Sequence, residues 1–211
     1  MKNYKNLNMK YYLSIFCSLF LMSQTSFAYL SLSETAELIK KDHYRVGVAT
    51  QLLLTNGSGT NYGAFFDMPV DDEMNARFTL GTGTTSFWTS GSIKWVPYPD
   101  YKQQPAIGIR GAIFYARDAT QNFYDLQVTP IISKIVDSQW GKLNPYVGLP
   151  ITLIYSTAKA VTAMQFVIGT EWIDKPSFQV GAEFGLNLSN SSSVITMHVN
   201  FPFDGNIGFR Q

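Results

Sequence analysis

Hydrophobic and polar residues alternate along most of this chain, and the alternation is clearest over residues 177–203. In the first half of this stretch, apolar side chains take every second position from Phe178 to Leu188, with glycine, amide or charged residues between them. After the polar sequence SNSS, the pattern repeats from Ile195 to Phe203. A period of two predicts β-strands, so the stretch is predicted to be a hairpin with one apolar and one polar face.

The same rhythm predicts ten strands over residues 44–203, separated by turn-forming Gly, Asn, Asp and Pro residues. Each strand is close to the ~9–11 residues that cross a bilayer at a tilt, and an even count brings the first and last strands together. The predicted fold is all-β, a closed antiparallel up-and-down transmembrane β-barrel, with eight strands as the alternative count. Proline cannot donate a ladder hydrogen bond, so bulges or strand ends are expected within the predicted strands at Pro130, Pro150 and Pro202. The predicted strands are 44–54, 60–69, 75–82, 86–97, 105–117, 122–136, 143–154, 162–172, 177–188 and 193–203.

The polar face collects the charged residues of the strands, which predicts that they line the barrel interior. Ionised groups in a narrow lumen must pair or lose their charge. Four basic and four acidic residues fall on this face, and this balance predicts a cross-linked and occluded lumen rather than an open pore with one sign of charge. Many other interior positions are glycine, which leaves room for large side chains. The predicted lumen network is Arg45, Asp67, Arg77, Lys94, Arg110, Asp125, Glu171, Glu183 and His198.

Aromatic residues gather near one set of strand ends when the strand direction is alternated from the first strand onward. Such a level of rings is typical of the aromatic girdle that a membrane barrel places at the headgroup layer. The predicted girdle is Tyr44, Phe78, Trp95, Tyr98, Tyr146, Trp172, Phe178, Phe201 and Phe203. A sparser girdle is predicted at the opposite ends, with Tyr62, Phe87, Tyr115 and Tyr124.

The first 28 residues have the pattern of a cleaved secretory signal peptide. Three lysines precede an apolar run, and Ser26-Phe27-Ala28 supplies small residues at the cleavage position. Residues 29–43 are predicted to form a short periplasmic helical segment, because 31–42 begins with a possible capping box. The favoured interpretation of that helix is a simple tether, and the alternative is a lid or plug. Residues 204–211 are a C-terminal tail.

Composition narrows the function further. Cleavage after Ala28 leaves no cysteine, and 13 Lys and Arg stand against 15 Asp and Glu, so nothing predicts disulfides, thiol chemistry or nucleic-acid binding. Aromatic residues make up 15% of the chain and charged residues another 15%, which fits an outer surface that meets lipid. No motif predicts a cofactor or a metal site.

Glu183 and His198 are the only weak candidates for catalysis. Folding the last hairpin about Asn190 and Ser191 places them opposite each other, and a carboxylate that orients an imidazole is half of a nucleophilic arrangement. No serine falls beside His198 by parity. A structural hydrogen bond is therefore the favoured interpretation, and the chain is predicted not to be an enzyme.

From residue 44 to residue 203 the chain resembles the small bacterial outer-membrane β-barrels, the broad OmpA-type and porin-like group. The resemblance depends on the alternation, the girdles and the closing strand ITMHVNFPF, which looks like an assembly signal although the chain continues through DGNIGFRQ. It implies export to the bacterial outer membrane, with lipid, lipopolysaccharide and the assembly machinery as partners.

The resemblance does not transfer an activity. The predicted function is a structural envelope barrel with an occluded lumen. The alternatives are a narrow channel or transporter for a small solute or apolar molecule, a lipid-modifying hydrolase, and a soluble ligand-binding barrel.

Overall fold

The computed structural model describes residues 32–55, 58–118, 121–156, 160–206 and 208–209. The predicted signal peptide lies outside the described residues. Within them the secondary structure consists of strands and connecting segments, and no helix is present. The strands are β1 (His43–Leu53), β2 (Gly59–Pro69), β3 (Met74–Gly83), β4 (Phe87–Tyr98), β5 (Ala106–Asp118), β6 (Gln121–Ser133), β7 (Val136–Ser138), β8 (Gly141–Gly148), β9 (Ile151–Ser156), β10 (Ala160–Trp172), β11 (Gln179–Ser189), β12 (Val194–Asp204) and β13 (Gly208–Phe209).

The strands close into an antiparallel barrel with ten wall positions, which confirms the predicted fold and count. β1 to β6 pair in chain order, and β10, β11 and β12 do the same. The seventh position is shared by β8 and β9, which both lie between β6 and β10. The first and last wall strands then pair along their full length, from His43 opposite Asp204 to Leu53 opposite Val194. This pairing leaves neither strand as an open sheet edge.

The break in the seventh wall position falls at Pro150, where a strand interruption is predicted. Pro150 has no N–H to donate, so β8 ends at Gly148 and β9 begins at Ile151. The backbone groups at the break are still used, because Leu149 N donates to Pro130 O at 3.2 Å and Gln165 N donates to Pro150 O at 3.1 Å.

The two faces of the barrel wall differ in polarity, as the alternation predicts. Apolar side chains point outward and are open to the surroundings, as in Val48, Ile113 and Met197, which are 56%, 62% and 61% exposed. Charged side chains point inward and are buried, as in Lys94 and Arg110. A water-soluble barrel has the reverse arrangement, so the outer face is built to meet hydrocarbon.

The segment before β1 is not the predicted helix. Residues 32–42 are irregular, and those from Leu32 to Ala36, together with Ile39, are buried inside the barrel. We call residues 32–39 the plug. The helix prediction is wrong because lumen side chains supply partners for the plug backbone, so an extended path is satisfied without helical hydrogen bonds. The favoured interpretation of a simple tether is also wrong, because the segment is buried inside the barrel and its backbone is bound by lumen side chains.

The predicted girdle lies on the outer wall except for one residue. Rings of Tyr44, Phe66 and Phe203 stack with centroids 5.5 to 6.4 Å apart, and the tail adds Phe209 at 5.0 Å from Phe203. Tyr146 is the exception, because it is buried in the lumen. Tyr146 has the same strand parity as the inward Gly148, so its side chain points to the interior, and its assignment to the girdle is wrong.

Candidate functional site

The candidate site is the lumen, where the barrel wall holds the plug. All nine residues of the predicted lumen network are buried, with at most 8% of each exposed. Their charges have partners within the barrel, and several of these partners belong to the plug. The sequence pattern assigned the wall residues to the interior, but it gave no sign of what they contact there.

Glu34 of the plug is the center of one ion cluster. Its carboxylate lies 2.9 Å from Lys94 Nζ and 3.4 Å from Arg110 Nε. Lys94 also donates to the backbone carbonyls of Thr35 and Glu37, each at 2.8 Å. The Lys94 ammonium has three donors, and all three therefore point at the plug.

Glu183 holds the plug from the opposite side of the lumen. Its carboxylate accepts hydrogen bonds from Leu32 N at 3.1 Å and Ser33 N at 2.6 Å, and from the Tyr146 hydroxyl at 2.8 Å. Hydrogen bonds to a carboxylate are shorter and stronger than those between neutral groups. Glu183 thus binds the plug backbone in the way that a capping residue binds the first turn of a helix.

A second ion cluster continues the network along the wall. Arg77 donates to both oxygens of Asp67, at 2.5 and 2.8 Å, and its remaining terminal nitrogen donates to Ser33 O at 2.8 Å. Arg45 lies 3.8 Å from Asp67 and 3.9 Å from Glu171. Bidentate pairs of this kind fix geometry as well as charge, so the plug is held by a rigid wall.

The proposed pairing of Glu183 with His198 is wrong. In the observed register, Glu183 lies opposite Thr196, and His198 lies opposite Gly181. His198 Nε2 instead lies 3.4 Å from Glu171, and Asn200 donates to the same carboxylate oxygen at 2.6 Å. The observed register between β11 and β12 is offset by two residues from the predicted one, which moves each partner one step along the inward face.

Glycine on the inward face makes room for rings. A β-carbon on Gly169 would lie 2.4 Å from the Tyr146 ring, and one on Gly181 would lie 2.1 Å from the His198 ring. Glycine at these two sites lets a large side chain lie flat against the opposite backbone. Without that close approach, the Tyr146 hydroxyl would not reach Glu183.

Two cavities lie on either side of the plug. A vestibule of about 530 Å³ opens at the end where β1 begins, and its lining includes the basic residues Lys40, Arg45, Lys142 and Lys175. An inner cavity of about 40 Å³ lies beyond Leu32 and Ser33, toward the end where β1 finishes. The plug therefore separates the vestibule from the inner cavity.

Glu34 gives the plug a dependence on pH that can be measured. Burial alone would raise the pKa of Glu34, but the charges of Lys94, Arg77 and Arg110 hold that pKa well below its ordinary value of 4.5. A proton binds the unfolded chain more readily, so the stabilisation from Glu34 is complete above pH 4.5 and declines as the pH falls below it. In urea unfolding, we expect the gap between wild type and Glu34→Gln to shrink between about pH 7 and about pH 3. A gap that is constant with pH would contradict this assignment.

Sequence reasoning missed Glu34 and the inward role of Tyr146. Glu34 lies outside the strands, where parity gives no information.

Among the described residues, no three His, Cys, Asp or Glu side chains are grouped so that they could hold a metal ion. In the same part of the chain, no helix has the length and apolar character needed to cross a membrane.

No family model and no curated protein matches the sequence. Several solved structures are similar in fold. An outer membrane channel from Pseudomonas putida F1 is 8% identical over 80% of this chain and 98% of that chain, with a TM-score of 0.48. A designed transmembrane β-barrel is 15% identical over 78% and 98%, with a TM-score of 0.41. The attachment invasion locus protein Ail of Yersinia pestis is 9% identical over 78% and 100%, with a TM-score of 0.28.

By their descriptions, the designed protein is a transmembrane β-barrel and the Pseudomonas protein is an outer membrane channel. The resemblance to small bacterial outer-membrane barrels holds at the level of fold, in the closed antiparallel wall and its outward apolar face. The fold assignment itself depends on the closed strand pairing and the outward apolar face of this chain.

Proposed function

We propose that this chain is a structural barrel of the bacterial outer membrane whose lumen is kept closed by its own plug. The contact that carries the proposal is the double anchoring of residues 32–34. Glu183 binds the amides of Leu32 and Ser33, and Glu34 binds Lys94 and Arg110. These contacts place the plug across the lumen, between the vestibule and the inner cavity.

The chemistry of the wall supports a closed state. Lumen charges of both signs are paired with one another or with the plug, whereas a conducting filter would expose one sign along a continuous path. Outside, exposed apolar residues cover the described strands and suit lipid and lipopolysaccharide as the surrounding partners. The assembly machinery of the outer membrane is the further partner that this architecture requires.

A narrow channel is the second candidate, and one observation favours it. The plug is held mostly by ion pairs and hydrogen bonds, and it borders a vestibule wide enough for a small solute. Polar contacts can exchange with water, so the plug could withdraw without unfolding the wall.

Planar-bilayer recording of the full chain separates the two functions. The structural barrel predicts no discrete openings. For the channel, a reducible lock is available at Ala36 and Ser133, since Ala36 N donates to Ser133 Oγ at 3.1 Å. The sequence has one cysteine, Cys17, in the predicted signal peptide, so the double variant Ala36→Cys, Ser133→Cys introduces the sole disulfide.

Three outcomes are distinguishable. Silence of both wild type and the reduced lock supports the structural barrel. Openings that disappear on oxidation of the lock and return with dithiothreitol support the plugged channel and exclude the first proposal. Openings that are the same with the disulfide formed or reduced would contradict both functions, because ions would then pass by a path that the plug does not control.

A further inference from the structure

The inner cavity has a lining that differs from the rest of the lumen. Two guanidinium groups, those of Arg77 and Arg110, face this space of about 40 Å³, and its lining includes no carboxylate. A polar cavity needs roughly 10–15 Å³ to hold one water molecule. The inner cavity is therefore large enough for a small ion together with water.

Gln51 lines this cavity, and the hydrogen bonds of its neighbours settle which end of its amide is the donor. Thr85 N donates to Asn61 Oδ1 at 2.9 Å, which fixes which end of the Asn61 amide donates. Asn61 Nδ2 then donates to Gln51 Oε1 at 3.5 Å. The Nε2 end of Gln51 is left as a donor, and among the described residues it has no hydrogen-bond partner although Gln51 is only 5% exposed.

Two further donors at the cavity also have no hydrogen-bond partner among the described residues. Trp88 Nε1 is buried without a hydrogen-bond acceptor among the described residues, and an indole nitrogen can only donate. Arg110 Nε likewise makes no hydrogen bond there, although it forms an ion pair with Glu34 at 3.4 Å. Both side chains line the cavity.

The carboxylates that pair with the two arginines lie outside the cavity lining. Asp67 neutralises Arg77 through a bidentate pair. Glu34 supplies one negative charge for the two cations Lys94 and Arg110. Leaving the buried donors Gln51 Nε2 and Trp88 Nε1 without an acceptor costs free energy.

We propose that the inner cavity is a binding site for a small monovalent anion of halide size. The anion accepts hydrogen bonds from Gln51 Nε2 and Trp88 Nε1 and lies beside the guanidinium groups of Arg77 and Arg110. A cation is disfavoured because both charged groups in the lining are basic. The site goes beyond the proposed function, since it requires neither conduction nor movement of the plug.

Iodide quenching of Trp88 tests the site in the full chain in detergent micelles. The other three tryptophans are changed to phenylalanine at Trp95, Trp140 and Trp172, which do not line the cavity. We expect iodide to quench the remaining fluorescence along a saturating curve, because the bound ion contacts the indole. Chloride should shift that curve to higher iodide, whereas sulfate, which is larger and divalent, should not.

Gln51→Leu is the informative variant, because it removes the donor and adds no charge. The half-saturating iodide concentration should rise about tenfold or more, as expected for loss of a hydrogen bond to a charged group. Gln165→Leu is the matched control, since Gln165 is a buried lumen glutamine that does not line the cavity. The half-saturating iodide concentration of this control should equal that of the protein that keeps Gln165.

Heat-modifiable gel migration checks that each variant has folded. The proposal would be overturned if quenching rises linearly with iodide in the protein that keeps Gln51. A linear rise indicates collisional quenching in a cavity that holds only water. Saturating quenching that Gln51→Leu leaves unchanged would also overturn it, because iodide would then be bound elsewhere. Neither result depends on the bilayer recordings that test the proposed function.

Discussion

Replacing Glu34 by glutamine is expected to remove about 3–5 kcal/mol of the free energy that holds the plug in the lumen. The variant leaves Lys94 and Arg110, both buried, without the carboxylate that they share. Labelling of Ala36→Cys with a maleimide measures the effect, because Ala36 is 1% exposed while the plug is in place. Since ~1.4 kcal/mol is a factor of ten in an equilibrium, the labelling rate should rise roughly a hundredfold or more.

Glu37→Gln is the matched control on the same segment. Glu37 is half-buried, and its carboxylate makes one long contact, which it accepts from Asn144 Nδ2 at 3.5 Å. Lys94 binds the backbone of Glu37 rather than its side chain, so this variant should label within a few-fold of the parent. Equal rates for Glu34→Gln and Glu37→Gln would show that the Glu34 cluster does not anchor the plug.

Strand parity accounts for what could be predicted from the sequence. A barrel with lipid outside and charged side chains inside needs strands whose two faces differ. That difference appears in the sequence as an alternation with a period of two. Residues as far apart as Arg45 and Glu171 were assigned to the same interior by parity alone, and they lie 3.9 Å apart. The break at Pro150 followed from the missing N–H of proline, but the interruptions predicted on the same ground at Pro130 and Pro202 are wrong, because β6 and β12 continue through these residues.

Contacts between strands depend on register, which parity does not contain. Glu183 was matched with His198 from an assumed turn, and a two-residue offset was enough to give each of them a different partner. Parity would have assigned Tyr146 correctly, because Tyr146 has the same parity as the inward Gly148 in β8. The aromatic residue type suggested a girdle instead.

The plug was predicted only as the alternative to a tether, and the extended path of its backbone was not predicted, for a different reason. Its sequence, LSETAELI over residues 32–39, has the caps and helix formers of a short amphipathic helix. Such a helix is marginal in isolation, and the lumen supplies a competing set of partners from distant strands. Glu34 therefore binds Lys94 and Arg110 rather than capping its own backbone, a choice that local sequence does not reveal.

Ile113→Arg is expected to destabilise the barrel in its membrane by about 2–4 kcal/mol or to block insertion. Ile113 lies near the middle of β5 on the outer face and is 62% exposed. A guanidinium at that position would sit in hydrocarbon, with no acceptor and little water. Folding into liposomes, followed by heat-modifiable migration and by urea unfolding, measures the loss.

Ile107→Arg provides the control within the same strand and on the same face. Ile107 is 41% exposed and lies one residue from the start of β5, where an arginine can reach the headgroup layer. Its cost should be about 0–1 kcal/mol, as found for charges near the interface. Because the two variants add the same side chain to the same face, only depth in the bilayer distinguishes them. An equal and small effect at both positions would mean that the outer wall of β5 meets water, and the assignment of this barrel to a membrane would then be wrong.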